Sequence, residues 1–242
     1  MAINAVSLDV ISKLAGSKPG PCRMLSFGYP DMLVTDDHLR FSCGPEVPGA
    51  ITYREDSEAI LRWHGLHEQL ARVPETRSLL SAMGIECDFI DISPSRGFEK
   101  VVDLNFPGPA ELAGQYDIVY DGGTLEHCFN VGQVMRNMLA FCKPGGFIVH
   151  VNPLNYFNHG FFNFNPTFYY DWYARNGHPL VFPLYAMYGP LLDPKVTILD
   201  PYKPFKGAAD RSALVIVAQK KSAAEPAWPM QGKYRATPSL KK

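Results

Sequence analysis

The residues of this 242-residue chain best suited to chemistry stand at the ends of short apolar runs. Asp121-Gly122-Gly123 follows the run Tyr116–Tyr120, and Glu126 and His127 come one turn later. Paired glycines let a backbone approach a bound molecule closely. An imidazole with an ordinary pKa of about 6.5 can take a proton at neutral pH, and a neighbouring carboxylate can orient it or act in its place. The same Glu-His pair also serves structural ends in many proteins, so both roles stand open at this level. Asp91 ends the run Glu86–Ser93, where a carboxylate either accepts two hydrogen bonds from a sugar diol or closes a turn. Asp103-Leu104-Asn105 ends the run from Lys100, where a polar and an apolar side chain together grip a planar base or form an Asx turn. His159 lies in a ring-rich stretch, NPLNYFNHGFFNFN, with Asn155 and Tyr156 beside it.

The elements that must position these residues follow from periodicity. Cys22–Phe27, Glu86–Ser93, Lys100–Asn105, Tyr116–Tyr120, Phe147–Val151 and the wholly apolar Ala213–Ala218 read as strands. Between them, Ser57–Met83 carries helical spacing and is divided by Pro74, while Thr124–Cys142 places Leu125, Phe129, Val134, Met135, Met138 and Leu139 mainly on one face. Lys143-Pro144-Gly145-Gly146 then reads as a stop and turn. Strands alternating with helices predict an α/β fold with a parallel sheet, whose ligands bind beyond the carboxyl ends of the strands.

Composition narrows the class. Hydrophobic residues make up 46% and charged residues 19%, enough for a full core. The formal net charge of −1 leaves no overall basic field for nucleic acid or anionic lipid. Twenty glycines and 21 prolines predict many turns. The five cysteines form no CxxC pair or zinc-type spacing, so no metal site is expected, and they read as free thiols of a reducing, cytoplasmic setting. His64 and His67, three apart, read as a solvated helix face. The start of the chain lacks the apolar core of a signal peptide, and no membrane span is read. Residues 220–242, with six Lys or Arg, read as a flexible tail.

Taken together, the segment Tyr116–Pro153 resembles the fourth-to-fifth-strand region of class I S-adenosylmethionine-dependent methyltransferases of the type 11-like group. Asp117-Ile118-Val119, Leu125-Glu126-His127 and Lys143-Pro144-Gly145-Gly146 carry the likeness, which extends over about residues 22–153 and the strand Ala213–Ala218. It implies a three-layer Rossmann-like fold with a mostly parallel seven-stranded sheet, in a single domain over 1–219. The implied cofactor is S-adenosylmethionine, held by Ser26, Phe27, Gly28, Asp91, Ile92, Asp103, Leu104, Asp121, Gly122 and Gly123. The implied acceptor is a small molecule, most naturally a hydroxyl of a sugar or natural product. Its proton would pass to His127, Glu126 or His159, and Asn155 and Tyr156 would contact it. The first motif departs from the family: Ser26-Phe27-Gly28-Tyr29-Pro30 offers one glycine, then a bulky ring and a residue with no N–H. The spacing from Gly28 to Asp91 far exceeds the roughly 20 residues of a compact unit, placing an insertion at about 29–53. From Tyr156 to Tyr173 the aromatic segment reads partly as a core helix from Pro166 to Asn176, capped by Asn165, and partly as a substrate wall within a lid of about 153–190. Two alternatives follow from the altered motif: a scaffold that has lost the cofactor, or a repurposed enzyme using His127 and Glu126 for acid–base chemistry. A homodimer is compatible with either.

Overall fold

The structure, a computed structural model, describes residues 2–235. Two compact units lie within the span read as one domain: the first comprises the chain to Asp103 with Pro190–Pro194, the second Leu104–Gly189 and the chain from Lys195. Both mix helices with sheet, as the α/β expectation required.

In the first unit, β1 (Ala2–Ile3) leads into α1 (Ala5–Gly16), whose Asn4 side chain caps the helix by accepting from the Ser7 N–H. Strand β2 (Cys22–Phe27) follows, then the short β3 (Asp31–Met32), which pairs in parallel with β1. Helices α2 (Asp36–Cys43), α3 (Val47–Ala50), α4 (Ser57–His64) and α5 (Thr76–Ala82) precede β4 (Ile85–Asp91) and β5 (Glu99–Val101). β4 pairs in parallel with both β2 and β5. The insertion is therefore built structure: Leu33 packs with Ile60, Leu61, Leu66 and Val73 in one buried cluster. The helical pattern of 57–83 breaks at Gly65, which ends α4 in a left-handed conformation, well before Pro74. The third strand is shorter than Lys100–Asn105 predicted: it ends at Val101, and the Val102 N–H donates to the carbonyl of Asp91, the last residue of β4.

In the second unit, β6 (Tyr116–Asp121) pairs in parallel with β7 (Cys142–Asn155), between which α6 (Val131–Phe141) crosses over. Helix α7 (Pro166–Arg175), β8 (Tyr185–Tyr188), β9 (Lys195–Ile198) and β10 (Ser212–Gln219) complete it. β10 is antiparallel to both β7 and β8, and β9 extends β8 as an exposed ribbon, a strand beyond the expected plan.

Three expectations are corrected here. The helix read from Thr124 begins at Val131: residues 125–127 form a single 3-10 turn, and Asn130 caps α6 by accepting from the Gln133 N–H at 3.3 Å. Phe129, read as core, is consequently exposed. Lys143–Gly146 is a bulge inside β7, with Gly145 at φ 82° and the pairing with β6 shifted between Tyr116 and Ile118. A Cβ on Gly146 would come within 2.9 Å of the Asp117 carbonyl, which explains the small residue. The described part of the tail, up to Arg235, is docked. Lys220 is buried and donates to the Leu139 and Cys142 carbonyls at 2.6 and 2.8 Å, at the end of α6. Trp228 packs 5.7 Å from Trp172. The buried Asp171 carboxylate accepts from the Tyr202 hydroxyl, the Gly232 N–H and Arg235. Residues 236–242 of the tail lie outside the described residues.

Asp171 thus clasps the C-terminal segment onto α7. Asp171→Asn should cost about 2–3 kcal/mol of unfolding free energy, since hydrogen bonds to a charged group are the stronger kind. Limited proteolysis followed by mass spectrometry should show faster cleavage after Lys220 in this variant than in the native chain.

Candidate functional site

Sheet geometry brings the polar residues of the second unit together. His150 and Asn152 are two apart on β7 and so point to one face, beside the end of β6. Asp121, the last residue of β6, is fully buried. Its Oδ1 accepts the Thr124 and Leu125 N–H groups at 2.8 and 3.2 Å, fixing the turn that follows. Its Oδ2 takes the Asn152 amide at 2.9 Å and faces His150 Nδ1 at 3.2 Å. An Nδ1–H donated there leaves His150 Nε2 to accept the Tyr173 hydroxyl at 2.6 Å. The Asn152 oxygen accepts from Tyr169 at 2.6 Å.

The same Asn152 amide donates to Glu126 Oε2 at 3.1 Å. Glu126 is 1% exposed. Burial, and then the neighbouring Asp121 charge, raise its pKa to about 7. Its other oxygen, Oε1, faces His159 Nε2 at 3.7 Å and His127 Nε2 at 3.9 Å, beyond hydrogen-bond reach. The two imidazoles meet edge to face at 4.9 Å and are about half exposed. Burial, with His159 close by, holds His127 below the ordinary imidazole range.

His159 arrives from a separate loop, and the backbone shows how. Asn158 adopts a left-handed conformation at φ 57°, which asparagine tolerates. The Phe161 N–H then donates to the Glu126 carbonyl at 2.8 Å. A Cβ on Gly160 would stand 2.8 Å from that carbonyl oxygen, so only glycine permits the approach. Nearby in the chain, Phe129 and Phe161 are exposed and stack edge to face at 5.6 Å, with Phe162 beside both. Tyr156 lies 5.5 Å from His159, under the Arg211 guanidinium.

Sequence-predicted residues therefore separate. Glu126, His127, His159 and Tyr156 converge. The side chain of Asp121 does not face a ligand: both oxygens are spent inside the fold. Asn155 is directed to the Ala208 and Ala209 carbonyls, a loop-tying role. Gly123, at φ 102°, lies against Glu126 Oε1, with its missing Cβ leaving 3.2 Å, and Gly122 is kept small by the Tyr120 ring. Asn165 begins α7 without a side-chain cap bond. His150 and Asn152 were not anticipated, although two polar residues at alternate positions of the apolar strand FIVHVNP were the visible signal. Tyr169 and Tyr173 are the core rings expected, with hydroxyl bonds that the sequence did not reveal.

In the first unit, the residues after β2 do not form a glycine cradle. Gly28, at φ 81°, gives its N–H to the Ile90 carbonyl at 2.6 Å. Tyr29 turns inward between Phe89 and Phe98 and donates to Glu75, burial raising its pKa. Asp31 is held by Arg96 at 3.0 Å and by His64 Nε2 at 3.1 Å, so the His64 ring is tied to a carboxylate and not a solvated residue. Ser26 and Phe27 are fully buried, leaving only their backbones available. Asp91 is half-buried, with Oδ1 accepting the Ser93 N–H at 3.1 Å, while Ile92 and Asp103 are exposed. Leu104, which opens the second unit, is buried.

No family model matches the chain. It is 31% identical over 147 residues to the ubiquinone biosynthesis O-methyltransferase of Bordetella avium (strain 197N), a match covering 61% of this chain and 48% of the relative. The chain thus spans about half the length of that curated relative. Among solved structures, the CurJ carbon methyltransferase is 13% identical, with a TM-score of 0.48 over 90% of this chain and 54% of that one. The citrinin polyketide synthase CMeT domain is 12% identical, with a TM-score of 0.46 over 90% and 52%.

The Asn152 bridge gives a signed pH prediction. A carboxyl whose folded pKa is raised contributes stability that is complete below the ordinary carboxylate range and lost as pH rises through about 7 for Glu126. The Asn152 amide opposes this by favouring the ionised form. Asn152→Ala should therefore cost about 2–3 kcal/mol, with a larger loss at pH 8 than at pH 5, measured as urea-unfolding midpoints across that range.

Proposed function

We propose that this chain, a relative of the class I S-adenosylmethionine-dependent methyltransferases, transfers a methyl group from S-adenosylmethionine to a hydroxyl of a small natural product. The observation that carries the reading is the convergence of His159 with Glu126 and His127, the latter two lying in the segment whose sequence resembles that family. The O-methyltransferase relative agrees with hydroxyl methylation. The rings of Phe129 and Phe161 favour an acceptor with a flat apolar body over a free sugar.

The strand ends of the first unit test the fit of the cofactor. Asp91 is a half-exposed carboxylate suited to the ribose diol, with exposed Ile92 and Asp103 suited to the nucleoside. The Gly28 turn supplies no run of free N–H groups, so the amino-acid end must be held otherwise than by a glycine loop. When bound, the cofactor supplies an electrophilic methyl group on a sulfonium centre. The chain's own task is to hold the acceptor oxygen, exclude water and remove the hydroxyl proton. His127, neutral at pH 7 by the downward shift of its pKa, is the first acceptor of that proton. Glu126 Oε1 lies 3.9 Å from its Nε2, and His159 stands beside it. Asp121, Asn152 and Tyr169 act on the reaction only through Glu126, as positioning residues.

Among the described residues no helix is long and apolar enough to cross a membrane. The near-zero net charge agrees with a small-molecule acceptor and not a nucleic acid.

Calorimetric titration with S-adenosylmethionine and S-adenosylhomocysteine should give saturable micromolar binding, weakened about 10–100-fold in Asp91→Ala by loss of charge-assisted hydrogen bonds. Absence of binding to the native chain at millimolar cofactor would reject the reading in favour of a scaffold. With an accepted hydroxyl substrate, His127→Ala should lower kcat by about 10²–10⁴-fold, the ordinary worth of a general base.

A further inference from the structure

The sequence contains no local metal-binding spacing, yet the fold assembles one buried carboxylate and two imidazoles around a common gap. Glu126 Oε1, a nitrogen of His127 and a nitrogen of His159 all lie within 4.8 Å of one another. We propose that these three side chains form a binding site for a single divalent transition cation of the zinc type.

Four independent features of the geometry support this. First, the separations fit. Oxygen and nitrogen ligands at about 2.1 Å from a tetrahedral cation lie about 3.4 Å apart, whereas the two Glu126–imidazole separations are 3.7 and 3.9 Å. The two Glu126 distances are too long for hydrogen bonds and need a few tenths of an ångström of closure, while the two half-exposed imidazole nitrogens, within 4.8 Å of each other, must turn further inward. Second, the donor set is right. Two imidazoles and one carboxylate are the ligands of catalytic zinc and of related first-row cations, and three protein ligands leave a position open for water or substrate. Third, an outer layer already orients the carboxylate. Asn152 binds Glu126 Oε2 and is itself held by Tyr169, which turns Oε1 toward the imidazoles. Fourth, the loop bringing His159 is pinned to the Glu126 backbone through Phe161 and requires Gly160. The third ligand is thus delivered by built structure.

The cation would occupy the gap between the two half-exposed imidazoles, with its open position on the solvent side. A hydroxyl taken up there would ionise at lower pH, because a bound divalent cation stabilises the alkoxide or phenoxide. In the metal-loaded chain His127 would therefore serve as a ligand. Cation binding itself can be read without activity, so it stands or falls separately from methyl transfer.

The test uses the full chain stripped with EDTA and titrated with ZnCl2 by calorimetry, and with CoCl2 by visible absorption. One equivalent of Zn2+ should bind with micromolar or tighter affinity, and Co2+ should give the intense visible bands of a four- or five-coordinate site. The double variant His127→Asn/His159→Asn replaces half-exposed side chains and should keep the metal-free Tm while losing both signals. His67→Asn, in the first unit, should keep them. Asn152→Ala should weaken Zn2+ binding about 10–100-fold, as loss of an outer-layer partner does. No stoichiometric binding to the native chain, or binding retained in the double histidine variant, would overturn the proposal. Glu126→Gln should also lose both signals; if it fails to fold, the double histidine variant decides the matter alone.

Discussion

Two carboxylates buried side by side, Asp121 and Glu126, set the terms for the second unit. Charge in a low-dielectric interior is tolerated only when its lone pairs are satisfied. Asn152 stands between the two and gives one N–H to each. The demand then spreads outward: Asp121 recruits the Thr124 and Leu125 backbone and His150, while Asn152 and His150 recruit Tyr169 and Tyr173. The Glu126 oxygen that Asn152 does not hold, Oε1, faces the two half-exposed imidazoles.

This explains a division within the aromatic segment. Tyr169, Trp172 and Tyr173 on α7 are buried, and the two tyrosine hydroxyls serve the polar network, so that helix is core. The preceding loop, with Phe157, Phe161 and His159 exposed, is the part that can meet a ligand. One run of rings is therefore divided between core and surface by whether the backbone is helical.

The first unit solves a different problem at the end of β2. Where a glycine loop would leave N–H groups free, the Gly28 N–H is used by Ile90, and the Tyr29 ring fills space against Phe89. Asp31, Asp56, Arg54 and Arg96 then form a linked ion-pair series. The inserted segment is stabilised by this network and by the apolar cluster around Leu33. Sequence reading recognised the departure from the family but not its cause, because the partners lie as far away as Arg96 and His64.

By itself the sequence determined the elements whose signals are local. The apolar runs gave Cys22–Phe27 to the residue and the core strand around Ala213–Ala218, since a fully buried strand needs nothing beyond its own composition. It also marked Glu126, His127 and His159 as candidates, from residue type and neighbourhood. It misplaced the start of α6, because Leu125 and Phe129 continue a helical period that Asn130 interrupts through a cap, and it missed His150 and Asn152, whose meaning depends on a carboxylate from another strand. Tertiary structure alone decided that both oxygens of Asp121 are used inside the fold, that Glu126 faces two imidazoles, and that His159 joins His127 across 32 positions of chain. Local propensity reaches about one helical turn or one strand, whereas a binding site is assembled by sheet pairing and loop packing that no local window contains.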